Sequence, residues 1–455
     1  MVSGLTRTLA VIACTVLMAP EASAGQPTTD LVPQAAAPES LTLSAALNLA
    51  RARHPDLRVA RAGLDVARAD SLFARLPSFN PEIELQTSRG GQSLGSGTDG
   101  SLELGASQEL ELWGKRGARQ SVATARSRTS AAELLAKLQE IESGVRARFE
   151  RALFLQDRAQ TFAELIELDR RVVRSTDARV RDGSITPLTG RLTGLDLLRI
   201  EALGRRTRSD YRQALVALGI AIGTELLDPI RLSGAIVADS LRAPEDSVVA
   251  LALRRRQESD VFRRQIDERR AELHLAQREG RPNVTLGAGL AIERQAFSGD
   301  DFTGDPAVVQ GITGARDTDH LWRASVSVPL PLWQRNQAGR ARALAEISRG
   351  QAEYDRFVSR TRLEVLATAR RFEEAAGLYR LYLDRSVRVR QDLAMVRDAY
   401  ADGRISLDSY LTQKGRLVDT LIGELEAADA YWEARGALES AVGLDLSHVN
   451  QGGVQ

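Results

Sequence analysis

The sequence predicts a mixed α/β membrane protein, predominantly α, that uses one supersecondary plan twice and pools its strands with other copies of itself. Three observations predict this. The N-terminus has the order of a secretory leader. The chain matches itself at two large offsets. Each matched half carries strand-like runs of period 2, followed by a proline-free helical stretch of more than sixty residues.

The leader comes first. Arg7 precedes an apolar run from Leu9 to Met18, and Ala22-Ser23-Ala24 follows, so residues 1–24 read as a signal peptide cleaved after Ala24. Cys14 is the single cysteine and lies inside that run. The mature chain then has no disulfide and no thiolate metal site. Val11-Ile12-Ala13-Cys14 also has the form of a lipoprotein cleavage box, and lipidation of Cys14 stays open as a second reading. Residues 25–40 form an N-terminal linker.

The charge balance excludes some classes. Charged residues make up 27% of the 455, yet the formal net charge is +1. That leaves no electrostatic footprint for nucleic acid. Basic runs such as Arg254-Arg255-Arg256 and Arg269-Arg270 stand beside Glu258 and Glu268 and read as solvated helix faces. Past the leader no run reaches the ~18 apolar residues of a membrane helix. A mature chain that crosses a bilayer must therefore cross it as a closed barrel.

The repeat sets the domain plan. An offset of 205 places Leu57 on Phe262, Arg58 on Arg263, Pro77 on Pro282 and Leu85 on Leu290. An offset of 220 places Trp113 on Trp333, Asp182-Gly183 on Asp402-Gly403 and Gly223 on Gly443. The 15-residue difference falls between Ala296 and Asp319, which is rich in Gly and Asp and reads as a longer loop. Repeat 1 covers 41–225, an inter-repeat linker 226–245, repeat 2 246–445 and a tail 446–455.

Each repeat opens with a helical segment, Leu43–Leu76 and Val248–Glu279, ended by Pro77 and Pro282. Strands follow at about 82–90 and 100–112, and at about 283–294 and 320–331. Val284, Leu286, Ala288, Leu290 and Ile292 alternate with Thr285, Gly287, Gly289 and Glu293, which gives one apolar and one polar face. Long helices then run over 118–181 and 338–401. The first holds 64 positions with no proline, about 95 Å at 1.5 Å per residue. Val365, Ala369, Phe372, Ala376, Tyr379 and Leu383 step by 4 and 3, the mark of a coiled-coil seam. Turns at Asp182-Gly183 and Asp402-Gly403 lead into return helices over 187–223 and 406–443.

Four strands cannot close a barrel, because the smallest membrane barrels have about eight. Three chains of four strands make twelve. The long helices need neighbours in the same chain and in other copies to cover their seams.

At this point the residues resemble a family. Leu41-Thr42-Leu43, Ala46, Leu49-Ala50, His54-Pro55, Asn80-Pro81-Glu82 and Gln108-Glu109-Leu110-Glu111-Leu112-Trp113-Gly114-Lys115-Arg116 are similar to the TolC family of outer-membrane efflux proteins. The Asn-Pro and Gly-Lys-Arg elements look most like its CzcC-type heavy-metal branch. The resemblance implies a homotrimer with a 12-stranded outer-membrane barrel and a 12-helix periplasmic α-barrel. It also implies a periplasmic adaptor and an inner-membrane resistance-nodulation-division pump as partners, contact with outer-membrane lipid, and no nucleic acid. Asp182, Gly183, Ser184, Ile185 and Thr186, with Asp402, Gly403, Arg404, Ile405 and Ser406, would be the adaptor-docking tips. Tyr400, Asp402, Arg404 and Asp408 would form the periplasmic gate.

Plainer readings stand beside these. The tip glycines serve equally as helix C-caps, and the tip charges as ordinary solvated groups. Trp113 and Trp333 are either interfacial aromatics or packing residues at the barrel base. His54, His274, His320 and His448 show no ligand spacing, so no metal site and no cofactor are expected. No nucleophile elbow, metal box or phosphate loop is found, so no enzyme is expected. The function expected is passive export of divalent heavy-metal cations. A duct for organic drugs or type I secretion is the alternative, and a poreless periplasmic coiled-coil scaffold is the alternative from another class.

Overall fold

The computed structural model describes residues 40–88, 97–226, 230–234, 239–296 and 316–452. Contacts divide the chain into Met1–Pro38 and Glu39–Gln455, and every described residue belongs to the second unit. The leader with Cys14, the linker up to residue 39, the first strand-connecting turn and residues 297–315 of the long loop lie outside the described residues.

Strand β1 (Ser40–Thr42) pairs in parallel with β4 (Arg231–Ser233), which sets Leu41 beside Leu232. Helix α1 (Leu43–Arg53) is capped by Thr42, whose hydroxyl accepts from the Ala45 amide at 3.2 Å. The single helix expected over Leu43–Leu76 is two, because His54 precedes a proline and is held at ψ 125°. Pro55 then starts α2 (Pro55–Phe73), where its missing amide costs nothing. The segment Val248–Glu279 also divides, at Arg256, into α5 (Glu245–Arg255) and α6 (Gln257–Glu279). No proline sits there. The Gln139 side chain accepts the Gln257 amide at 2.8 Å, and the Arg256 guanidinium reaches Glu258 and Glu364 at 2.7 and 3.1 Å.

The four main strands are β2 (Glu82–Ser88), β3 (Gly97–Leu110), β5 (Val284–Ala296) and β6 (Arg316–Ser327). They form one antiparallel sheet in the order β2-β3-β5-β6. The expected strand 320–331 is shifted outward. It begins at Arg316 and stops at Ser327, because Pro329 and Pro331 have no amide to give a ladder.

Helices α3 (Lys115–Arg181) and α4 (Pro187–Ile222) make one hairpin, and α7 (Gln337–Ala401) and α8 (Leu407–Val442) make the other. A short α9 (Leu446–Gly452) occupies the stretch expected as tail. Helix α3 has 67 residues, a rod of about 100 Å. Its neighbours change along its length. Toward the sheet, α2 and α6 flank α3, and α6 leads on to α7. Away from it, α4 and α8 flank α3, and α8 leads on to α7. The two long helices thus run through both levels, and a short pair completes four helices at each.

The core is thickest where the levels meet. Phe149, Val145, Leu218 and Ile222 close on Leu41, Ala46 and Leu57 on one side. Phe372, Tyr379, Tyr431 and Leu438 close on Val248 and Leu446 on the other. Toward the hairpin tips it thins to Phe162, Ile200 and Val418, then to Val172, Tyr400 and Tyr410.

Candidate functional site

The hairpin tips share one backbone design. Asp182 ends α3 and Gly183 takes φ 72°, while the Ser184 amide reaches back to the Arg179 carbonyl at 2.9 Å. Thr186 caps α4 from its side chain, and Pro187 starts it. In the second hairpin Gly403 has φ 70°, the Arg404 amide reaches the Ala399 carbonyl at 2.8 Å, and Ser406 caps α8. Glycine is needed at both turns because a side chain in the left-handed region costs about 1–2 kcal/mol. The tips differ in chemistry. Arg404 pairs with Asp402 at 2.5 Å, whereas Ser184 holds the equivalent place in the first hairpin.

The four residues expected at a gate are not together. Asp402, Arg404 and Asp408 are exposed. Tyr400 is buried, stacked on Tyr410 with centroids 4.9 Å apart, and its hydroxyl lies 3.2 Å from that of Thr176 on α3. Arg179 sits over its ring and donates to the Ala401 carbonyl at 3.2 Å. Tyr400 therefore joins the two hairpins of one chain.

A ladder of charges above it does the same, and the sequence reading missed it. Lys414 on α8 is buried between Asp169 of α3 at 2.6 Å and Asp196 of α4 at 2.5 Å. Burial pushes the Asp169 carboxyl up, against the pull of the Lys414 ammonium. Higher up, Arg158 of α3 is buried against Glu424 of α8, in a two-point contact at 2.7 and 3.3 Å. Arg199–Asp419 and Arg151–Asp429 add exposed rungs at 2.5 and 3.2 Å. The signal was present in the sequence. Lys414, Glu424 and Arg435 stand three or four residues from Tyr410, Val418, Leu421, Ala428 and Leu438, at seam positions where an apolar side chain is the rule.

A second buried charge cluster lies where the levels meet. Arg435 bonds Glu439 at 3.0 Å and pairs with Glu150 at 3.4 Å. Burial, with Glu439 nearby, raises the Glu150 carboxyl to about 7.

The sheet has two unlike faces. Ile83, Leu85, Leu102, Leu104, Leu290, Leu286, Trp322 and Val326 share one of them through the ladder register. Ile83 is 79% exposed and Trp322 85%, so among the described residues nothing covers this apolar face. The other face carries Glu84, Glu103, Glu293, Asp319 and Arg323 among small residues, with Arg323 and Glu103 paired at 2.5 Å across Gly289. Trp113 and Trp333 differ. The Trp113 indole donates to the Pro282 carbonyl at 3.0 Å and lies under Arg281, while Trp333 stands 85% exposed.

Among the described residues no three His, Cys, Asp or Glu side chains could hold a metal ion, and no helix is long and apolar enough to cross a membrane. What the geometry defines is a chain with an apolar-faced, open-edged sheet carried on long helical hairpins.

The outer membrane efflux protein family model matches the chain twice, over residues 46–224 and 248–444. The chain belongs to this family, a family of outer-membrane channels rather than enzymes. Its fold is similar to that of CusC, a protein described as forming a transmembrane channel, at 16% identity and TM-score 0.66 over 88% of this chain and 92% of that one. It is also similar to the CmeC outer membrane channel of Campylobacter jejuni, at 14% identity and TM-score 0.65 over 90% and 89% of the two chains. The MtrE outer membrane channel of Neisseria gonorrhoeae, crystallised in its open state, matches at 17% and 0.61 over 89% of each. No curated protein sequence matches the chain.

Proposed function

We propose that this chain is the outer-membrane channel of a tripartite efflux assembly, a homotrimer that passively conducts divalent heavy-metal cations delivered by a periplasmic adaptor and an inner-membrane resistance-nodulation-division pump. The observation that carries the channel reading is the sheet, with one uncovered apolar face, one polar face and free edges at β2 and β6. In lipid those edges cost several kcal/mol for each unpaired backbone group. Other copies of the chain relieve that cost by pairing β6 with the next β2.

The helices repeat this edge order. Helix α2 closes one flank of the upper level and α4 the same flank of the lower, while α7 forms the opposite flank of both. These flanks carry apolar residues on the far side from the intrachain seams. Val59, Val66 and Phe73 recur every seven residues on α2, and Leu188, Leu192 and Leu195 lie on α4. Leu363, Leu381 and Met395 lie on α7. A head-to-tail ring joins one flank to the opposite flank of the next copy at every level and closes without leaving an end. Three chains then give twelve strands and twelve helices, with the polar sheet face lining the passage. The exposed tips, Asp182–Thr186 and Asp402–Ser406, meet the adaptor, and Asp402, Arg404 and Asp408 face the aperture.

The metal substrate rests on the Asn80-Pro81 and Gly114-Lys115-Arg116 elements of the heavy-metal branch. The test is a deletion strain grown on zinc, cobalt and cadmium and on a set of organic drugs. Metal sensitivity with unchanged drug tolerance is the result expected. The reverse pattern makes the duct one for organic compounds. A purified protein without conductance in planar bilayers defeats the channel reading itself.

A further inference from the structure

We infer that the distal end of the apolar sheet face binds a phosphate of an outer-leaflet glycolipid of the lipid A class, through Arg294 of β5 and His320 of β6. The inference rests on the channel reading above and names the lipid that the sheet meets at its outer end.

Charge is sorted between the two faces of the sheet. In the rows that run from Leu110 and Val284 to Gly100 and Arg294, the apolar face carries no carboxylate. Glu82, Glu84, Glu103, Glu109, Glu293 and Asp319 all fall on the other face. The ionisable groups of the apolar face in those rows are Arg294 and His320. Both stand in the last two rows, at the end away from the helices. His320 is opposite Ile292 and Arg294 is opposite Thr318, so they are diagonal neighbours on one face. That relation sets their Cβ atoms about 7 Å apart, near enough for a guanidinium and an imidazole to hold one phosphate. Both side chains are exposed, and among the described residues neither has an ion-pair partner.

Their height on the sheet fits a headgroup. Val284 lies at the foot of the face, and Arg294 stands ten residues farther along β5. At about 3.4 Å per residue that is about 34 Å along the strand. A strand tilted by about 40° then rises about 26 Å along the membrane normal, and the apolar band of such barrels is about 25 Å tall. Arg294 therefore stands where hydrocarbon ends and headgroups begin. Trp322 lies two residues below His320 on the same face, opposite Leu290, and is 85% exposed. An indole at that level packs on acyl chains. The foot of the face has no such pair. Its polar side chain, Gln108, gives its amide to the Phe79 and Glu109 carbonyls at 3.0 and 2.8 Å.

The donors favour a phosphomonoester. The guanidinium fork meets a phosphate at two points, and the imidazole adds an N–H from the next strand. A sugar phosphomonoester carries between one and two negative charges at neutral pH, whereas the phosphodiester of a glycerolipid carries one. With no carboxylate on this face, nothing repels the more highly charged group.

The test uses purified full-length trimers in detergent, titrated with bis-phosphorylated lipid A, with its dephosphorylated form and with phosphatidylglycerol. Bound lipid is counted by native mass spectrometry. The native channel should bind lipid A at one site per chain and about ten-fold more tightly than either other lipid, the difference one charge-assisted contact makes. R294Q/H320Q should lose that preference while keeping native trimer content and planar-bilayer conductance, which separates lost binding from lost folding. Should the double variant fail to assemble, R294Q alone is titrated in its place. An assembled variant with native affinity for lipid A overturns the inference. So does a native channel that binds the dephosphorylated lipid or phosphatidylglycerol as tightly, because the phosphomonoester then contributes nothing. Native protein that gives neither trimers nor conductance defeats instead the channel reading on which the inference stands.

Discussion

Lys414 shows how much one buried side chain decides. It lies among Tyr410, Asp169 and Asp196 with little solvent, and its charge is met by two carboxylates. Replacing it with methionine keeps the volume and strands both acids. Lys414→Met should lower the stability of the detergent-solubilised protein by about 3–5 kcal/mol, read from urea unfolding. Adding Asp169→Leu and Asp196→Leu should restore a large part of it, because an apolar trio in that seam leaves no buried charge. Glu150 is a second case, with a pH dependence. Its folded carboxyl titrates near 7, above the ordinary 4.5, because burial and Glu439 outweigh Arg435 and Arg146. A group raised in the folded state contributes stability that is complete below its unfolded value and is lost as pH rises through its folded value. Native protein should therefore lose more of its melting temperature between pH 5 and 8 than Glu150→Gln. Equal slopes would remove Glu150 from that account.

At the scale of elements, the sheet and the tips make separate demands. Ile83 and Trp322 sit on the uncovered apolar face, while Glu84 sits on the other. An arginine at Ile83 should cost about 2–4 kcal/mol if that face meets the bilayer middle, visible as reduced outer-membrane assembly. Glu84→Gln should assemble normally. At the turns, Gly403→Ala keeps the sequence polar and short but forces a side chain into φ 70°. A loss of about 1–2 kcal/mol is expected there from the left-handed conformation alone, read from the thermal transition. The helix breaks at His54 and Arg256 carry a different lesson. The first was legible in the sequence, because proline follows it. The second was not, because Arg256 is held by Glu364 and Phe357 while Gln139 bonds its neighbours Arg255 and Gln257, all residues about a hundred positions away along the chain.

For the whole molecule, the edge order governs assembly in the proposed ring. Strand β2 with helices α2 and α4 forms one flank, and β6 with α7 the other. Acidic substitutions at Val59, Val66 and Phe73 together should convert trimers to monomers in native mass spectrometry, while Arg68→Glu, an exposed position of the same helix, should not. If the triple variant remains trimeric, α2 is not a joined edge.

The sequence by itself determined the order of elements in each half, the two-faced strands, the long helices and the glycine turns. All of these follow from local periodicity and local backbone sterics, which a single segment expresses on its own. It also marked the tip residues and the paired tryptophans. Only the tertiary structure decided that Tyr400 is buried against Thr176 and that Trp113 is tied to Pro282 while the Trp333 ring is exposed. It also decided that Lys414 joins α3, α4 and α8. Those facts depend on which helix stands beside which, and a seam position reads the same whether its neighbour is leucine or a carboxylate 218 residues away. Burial and charge pairing are properties of the packed set.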